Sequence, residues 1–265
     1  MAAGNIYLHR MEVPEDIVPW ADNPNRIGIA GWSLETEIQS RFPPEGTHLQ
    51  RYASVFNAVE INSSFYRPHM PKTYGRWAES VPEDFRFAVK VPKEITHQLK
   101  LKAFAAPLDR FLAEIAGLGA KLGPLLVQLP PSLGFAADTA RAFLEGLRRR
   151  YSGAVAWEPR HADWFGPGAE ALLREFSIAR VAADPALSPS AAVPGGWTGL
   201  IYRRLHGSPK MYYSAYAPAY LEGLADRMDA EARHAEVYCI FDNTAAGEAI
   251  PNALSLRKFT GTAAR

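Results

Sequence analysis

The sequence predicts an α/β fold, a single (β/α)8 TIM-like barrel with a short N-terminal arm, and three observations carry that prediction. Short apolar runs recur at residues 28–32, 58–62, 87–92, 125–130, 155–160, 180–184, 200–206 and 237–243. Helical spacing fills most of the intervals, and alternation of strand and helix builds a parallel sheet. The 265 residues also suit one barrel, which takes about 250 residues. An open dinucleotide-binding sheet is disfavoured, because Gly28-Ile29-Ala30-Gly31-Trp32-Ser33 does not form the G-x-G-x-x-G fingerprint.

Residues 1–25 hold Pro14, Pro19 and Pro24 with no sustained period, and read as an arm lying on a barrel of residues 26–260. Leu108, Phe111, Leu112 and Ile115 follow helical spacing until Gly117 and Gly119 stop it. Asp138 is the expected N-cap of a helix that buries Ala140, Phe143, Leu144 and Leu147. That helix ends in Arg148-Arg149-Arg150, whose cations complement the negative end of the helix dipole. Leu172, Leu173 and Phe176 mark a short helix, and Tyr220, Leu221, Leu224 and Met228 a longer one. After Asp184, Pro185, Pro189, Pro194 and Gly195-Gly196 forbid a regular helix, so a Pro/Gly-rich loop replaces one.

Charge and cysteine usage narrow the function classes. Lys plus Arg number 29 against 28 Asp plus Glu, a net charge of +1, which argues against a strongly basic nucleic-acid binder. Cys239 is the single cysteine and sits inside the eighth run, so it reads as an inert buried thiol. No run approaches the ~20 residues that span a bilayer, and no signal-peptide pattern opens the chain. These features predict a soluble cytoplasmic protein with no membrane partner; they do not predict its oligomeric state.

The strand ends carry the chemistry. A parallel barrel gathers them on one face, and side chains two apart on a strand point the same way. Glu60 pairs with Asn62, Glu158 with Arg160, and Arg204 with His206; Lys90, Gln128, Asp184, Asp242 and Asn243 end other runs. The small residues Ala88, Ala156 and Ala182 lie two positions before Lys90, Glu158 and Asp184, which suits a crowded lumen and points all three inward. An outward, unpaired carboxylate would cost several kcal/mol in the apolar seam. Aromatics follow the tips: Phe65 and Tyr66 after Asn62, Trp164 and Phe165 after Arg160, and Tyr212, Tyr213 and Tyr216 after His206, while Trp32 ends the first strand. Aromatic walls around convergent polar groups describe a small-molecule pocket. They also suit a platform on which a base could stack. His97 and His161, in the third and fifth connections, are further acid, base or anion-donor candidates.

The stretch Val59-Glu60-Ile61-Asn62-Ser63-Ser64-Phe65-Tyr66 resembles the V-E-I-N-x-x-F-Y signature of the YecE-like family, a domain-of-unknown-function family with a TIM-barrel fold. Phe85 to Lys90 with Ile95-Thr96-His97, Leu122 to Pro131, Arg160-His161 with Trp164, Arg204-Leu205-His206-Gly207 and Tyr213-Ser214-Ala215-Tyr216 agree with it. Phe241-Asp242-Asn243, Gly247 and Asn252-Ala253 are similar to its F-N-N…G…N-A ending. The resemblance covers residues 26–258 and implies the barrel but no reaction. Two departures stand out: Pro159 enters the fifth-strand V-E-F-R-H block, and Asp242 replaces an asparagine.

The residues then suggest an enzyme acting on a small anionic substrate by general acid–base chemistry. Lys90, Arg160 and Arg204 would hold the anion, and Asn62, Gln128 and Asn243 would orient the substrate. Glu60 and Glu158 would serve as base and acid, His206 as proton relay, and Asp184 as a third carboxylate. No cofactor is implied with any specificity. Glu60, Glu158, Asp184 and Asp242 are weak candidates for a divalent metal, since no H-x-H or H-E-x-x-H spacing occurs. The alternative is a nucleic-acid binding or processing barrel whose aromatics stack a flipped or single-stranded base; the metal-dependent, endonuclease-like form of it rests on fold analogy.

Overall fold

The computed structural model describes residues 23–260, so most of the arm expected over 1–25 lies outside the described residues. Ten strands follow one another: β1 (Asn25–Ile29), β2 (Ala58–Ile61), β3 (Arg86–Lys90), β4 (Leu122–Gln128), β5 (Val155–Glu158), β6 (Ala179–Arg180), β7 (Ala182–Asp184), β8 (Gly195–Gly196), β9 (Leu200–Leu205) and β10 (Glu236–Phe241). The helices are α1 (His48–Ala53), α2 (Pro71–Glu79), α3 (Ala105–Ile115), α4 (Ala137–Arg148), α5 (Pro167–Glu175), α6 (Pro218–Glu231) and α7 (Ala249–Phe259).

The fold is α/β with parallel sheets. β2 through β6 pair in sequence order, and β7, β9, β10 and β1 form a second parallel set. β6 and β7 flank Val181, whose N–H donates to the Trp157 carbonyl; the first half pairs with β5 and the second with β9. A parallel bridge between Ala30 and Glu60, with Gly31 N–H donating to the Glu60 carbonyl at 2.9 Å, ties β1 to β2. The pairings thus return to their start, the connectivity expected of a (β/α)8 barrel. In the Pro/Gly-rich segment after Asp184, a short 3-10 turn (Pro189–Ala192) and β8, antiparallel to β6, stand where a helix would be.

Local chemistry sets the helix starts. α2, α5 and α6 begin with Pro71, Pro167 and Pro218, whose fixed φ suits a first turn and whose missing N–H is not needed there. At α1, Thr47 and Gln50 form a reciprocal capping box. Asp138, expected as an N-cap, instead lies within the first turn of α4; Ala136 occupies the cap position without a side-chain bond. Arg148 at the end of α4 donates to the carbonyls of Gly153, Phe176 and Ser177, and Arg150 pairs with Asp109. These bonds tie the arginine triplet into the fold.

The apolar residues separate into two buried clusters. Val59, Phe87, Val89, Leu125, Val127 and Trp157 belong to the larger one, between strands and helices. Ala58, Ala88, Leu126, Ala156, Ala179, Val181, Tyr202, Tyr238 and Ile240 form the other, inside the ring. Alternation along each strand produces this division. It also decides which strand-end side chains look inward.

Candidate functional site

Parity places Glu60, Lys90, Gln128, Glu158 and Arg204 on the inner face, because Ala58, Ala88, Leu126, Ala156 and Tyr202 sit two residues before them in the inner cluster. Arg204 is the hub and is fully buried. Its Nη2 donates to Glu60 Oε1 at 2.7 Å and to Asp242 Oδ2 at 2.9 Å; its Nε donates to Glu60 Oε2 at 3.0 Å, and its Nη1 to Glu158 Oε2 at 2.8 Å. Tyr202 adds a hydroxyl donated to Glu60 Oε2 at 2.9 Å. Glu158 also receives Gln128 Nε2 at 2.9 Å and faces Arg160 Nη2 at 2.6 Å. His206 lies between Glu158 and Asp242, its Nδ1 3.1 Å from Asp242 Oδ2. Arg160 Nη2 lies 2.9 Å from His206 Nε2. That ring nitrogen also stands 3.2 Å from Glu158 Oε1, between a guanidinium that only donates and a carboxylate that only accepts.

The network sets protonation. Burial pushes the Glu158 carboxyl up, but the guanidiniums of Arg204 and Arg160 outweigh it and hold it well below the usual carboxylate range. Burial opposes ionisation of Asp242 as well; Arg204 and the hydrogen bond from His206 prevail and lower it. Burial lowers Arg204, and its three carboxylates more than reverse that. Glu60 has both oxygens engaged and no exposed surface. Neither glutamate therefore offers what the sequence reading asked of it: Glu158 carries no proton to give, and Glu60 faces no substrate.

Above this cluster opens a cavity of about 380 Å³ lined by Asn62, Phe65, Tyr66, Lys90, Lys93, His97, Gln128, Tyr212, Asp242 and Thr244. Lys90 is 5% exposed, and among the described residues its Nζ makes no ion pair or hydrogen bond; it stands 4.3 Å over the Phe65 ring. Burial and the nearby Arg204 lower its pKa, against the pull of Glu60, Glu158 and Asp242. His97 packs edge-on against Phe65 and bonds Thr96 Oγ1 through Nδ1 at 2.8 Å. Burial and Lys90 lower its pKa, so its imidazole is neutral at pH 7. Asn62 Oδ1 is buried without a partner. A larger cavity of about 560 Å³ between the end of β1 and the start of α7 carries Glu35, Glu37 and Glu248 and no cation. An anion has no reason to enter it.

Five expected site residues lie elsewhere. Asp184 pairs in register with Leu205 while Ala183 pairs with Arg204, so Asp184 points out of the ring. The residue two before it, Ala182, is absent from the inner cluster, and Val181 takes that place. Tyr216 donates to Asp184 Oδ1 at 2.8 Å and accepts from Gly207 N–H at 2.9 Å, a buried clasp away from the cavity. Asn243, one residue past Asp242, turns outward and donates to the Ser214 carbonyl and Asn252 Oδ1. Trp164 is buried against Trp157, its Nε1–H donated to the Leu133 carbonyl at 2.9 Å. His161 accepts from Asp163 N–H and caps the 3-10 turn Ala162–Phe165. Among the described residues no group of three or more His, Cys, Asp or Glu is placed to hold a metal ion. The cluster's carboxylates are occupied by guanidiniums instead.

Phe65 and Tyr212, two of the aromatics after the strand tips, line the cavity, whereas the sequence candidates did not include Tyr202, Lys93 or Thr244. Tyr202 shares the parity of Arg204 and was open to the same rule. Lys93, Tyr212 and Thr244 come from loops whose paths no periodicity sets.

Residues 26–265 match the family model described as "Protein of unknown function DUF72". The chain belongs to the DUF72 family. The UPF0759 protein YecE of Escherichia coli K12 is 32% identical over 145 residues, 54% of this chain and 51% of that protein. YunF of Bacillus subtilis 168 is 30% identical over 151 residues, 53% of this chain and 52% of YunF. The chain therefore spans about half the length of these relatives. Among solved structures, a DUF72 protein of Thermotoga maritima MSB8 superposes with a TM-score of 0.73 at 26% identity, covering 88% of this chain and 98% of that one. A DUF72 protein of Enterococcus faecalis V583 gives 0.74 at 24% identity, over 89% and 94%. The DUF72 fold is common to all three. Among the described residues no helix is long and apolar enough to cross a membrane.

Proposed function

We propose that this DUF72 protein is an enzyme that takes a small anionic substrate into the 380 Å³ cavity at the strand ends and moves a proton on it. The observation that carries the reading is Lys90: a lysine 95% buried, facing a cavity, with no carboxylate within ion-pairing distance. Lysines are almost never buried without a partner, and the desolvation of such a charge is costly unless something compensates it. A phosphate or carboxylate on the substrate would compensate it, with exposed Lys93 at the rim and the Asn62 amide beside it. The neutral imidazole of His97 is the group suited to accept or donate the proton. Arg204, Glu60 and Glu158 form the platform beneath, in which Arg204 holds Asp242 in place rather than reacting.

A thermal-shift screen against phosphosugars, nucleotides and small dicarboxylates tests this. A ligand at ~100 times its Kd adds about 2.7 kcal/mol. That raises the Tm by about 5–10 °C in a chain of this size. The shift should vanish in Lys90→Met; no shift from any anion would defeat the reading.

A second reading rests on the rim. Tyr66, Tyr212 and Tyr213 are exposed, and Lys93 and Lys210 stand over Tyr66 and Tyr213 at 5.8 and 4.1 Å. Aromatics interleaved with cations suit a single strand of nucleic acid. Oligonucleotide binding that weakens steeply between two salt concentrations would favour it.

A further inference from the structure

We propose that the Lys90 amine is a nucleophile that captures the carbonyl carbon of an aldehyde or ketone substrate as a Schiff base. This rests on the anionic-substrate reading and names the class of substrate: a small carbonyl compound carrying a phosphate or carboxylate.

The geometry separates Lys90 from the two arginines beneath the cavity. Arg204 and Arg160 are bound to carboxylates, at 2.7–2.9 Å and 2.6 Å. Those bonds engage Glu60 and Glu158 through both oxygens and Asp242 through one, and among the described residues no carboxylate ion-pairs with Nζ. Glu60 gives both oxygens to Arg204 and Tyr202, Glu158 gives its own to Arg204, Gln128 and Arg160, and Asp242 gives Oδ2 to Arg204 and His206. Nζ is left with the Phe65 face on one side and the cavity on the other. A residue needed only to grip an anion would serve well as arginine, whose forked guanidinium is always charged. A lysine in a desolvated pocket beside another cation is the arrangement that frees an amine to react.

The charged and titratable groups around Nζ come from every side: Arg204 on β9, Glu60 on β2, Glu158 on β5, Asp242 after β10, and Lys93 and His97 in its own connection. Burial, then Arg204, lowers the lysine's pKa against the pull of the three carboxylates.

The chemistry balances without a redox partner. The neutral amine adds to the carbonyl carbon; an N–C bond forms and the carbonyl π pair moves to oxygen. One proton leaves nitrogen and one reaches that oxygen, with the His97 imidazole as the shuttle. A second proton on the same oxygen releases it as water, and the C=N⁺ bond forms as the C–O bond breaks. The net change is amine plus carbonyl plus one proton to iminium plus water. The unpartnered Asn62 amide lies where it could hold the carbinolamine hydroxyl, and Lys93 is placed for the substrate's anionic group.

The test is reductive trapping followed by peptide mapping of the full-length protein. Two probes serve, pyridoxal 5′-phosphate and the smaller glyoxylate, each added below stoichiometry at pH 7 and reduced with cyanoborohydride. The expected result is a secondary amine on Lys90 at least tenfold faster than on any surface lysine, slowed by excess inorganic phosphate. In Lys90→Arg, which keeps the charge, the adduct is lost while the surface lysines label as before. Label spread over surface lysines with Lys90 unmodified by both probes would overturn the proposal. If phosphate still raises the Tm of the wild type and not of Lys90→Met in that case, the anionic pocket stands and only the carbonyl chemistry falls.

Discussion

Arg204 and Glu60 meet in a two-point pair, Nη2 to Oε1 at 2.7 Å and Nε to Oε2 at 3.0 Å, and neither has any exposed side-chain surface. The same guanidinium also pairs with Glu158 and Asp242. One cation thus holds three carboxylates that would otherwise repel one another in a dry interior. Removing one partner of a buried pair costs about 3–5 kcal/mol, because the other charge is left uncompensated. Arg204→Met should lose at least that much in urea denaturation. A loss below about 1 kcal/mol would mean that water reaches the cluster.

The lowered carboxyls of Glu158 and Asp242 tie stability to pH. The unfolded chain releases these protons near pH 4 to 4.5, and the folded chain only at lower pH. Between those values the unfolded state binds more protons. The stabilisation is therefore complete above about pH 5 and is lost as pH falls through the folded values. Denaturation midpoints at pH 6.5 and pH 4 should differ, and the difference should shrink in Glu158→Gln.

At the seam between β1 and β2, Tyr52 does what backbone pairing does elsewhere. Its hydroxyl donates to the Ala58 carbonyl at 2.9 Å and accepts from Ile29 N–H at 3.0 Å. Gly28 makes room for this, since a Cβ there would run into the Ala58 carbonyl. Tyr52→Phe leaves two buried polar groups unpaired and should cost about 2–3 kcal/mol. Amide exchange at Ile29 should accelerate; unchanged protection there would refute the bridging role.

How much of this could be read in the sequence follows from periodicity. On β2, β5 and β9 a polar end residue and a small or aromatic residue two before it shared the inner face, so Glu60, Glu158 and Arg204 were legible. At Asp184 the rule failed by one residue: Val181, in the break between β6 and β7, looks inward, and the alanine at 182 gave no apolar cue to correct the register. Trp164 was misleading for another reason, because an indole with its N–H donated to a carbonyl packs as core. That cations compete for the carboxylates was legible, but the outcome of the competition was not. Sequence lists charges on one face, but only side-chain reach shows that Arg204 takes three and leaves Lys90 none.

Lys90 gives the sharpest stability contrast. Its lowered pKa means that the folded state binds this proton less well than the unfolded chain does. By linkage, that charge opposes folding at every pH below the unfolded value near 10.4, and the penalty eases as pH rises. Lys90→Met keeps the apolar stem against Phe65 and removes the charge. The empty protein should gain about 0.5–2 kcal/mol and lose any stabilisation by phosphate. A destabilised variant would show that the ammonium is satisfied without a ligand.

Asp242 reaches both the platform and the cavity. Its carboxylate lines the cavity with 12% of the side chain exposed, while Oδ2 accepts from Arg204 and His206. An asparagine oxygen could accept both bonds, so Asp242→Asn should keep the fold at a cost of about 1–2 kcal/mol. The negative charge that an incoming anion meets would be gone. Phosphate should then bind about tenfold more tightly, a gain of about 1.4 kcal/mol. Asp242 also helps keep the proton on Lys90. Removing it should therefore move the onset of reductive trapping at Lys90 to lower pH. Calorimetric titration with phosphate in the two proteins reads the first effect, and weaker binding in the variant would show that Asp242 does not face the bound anion.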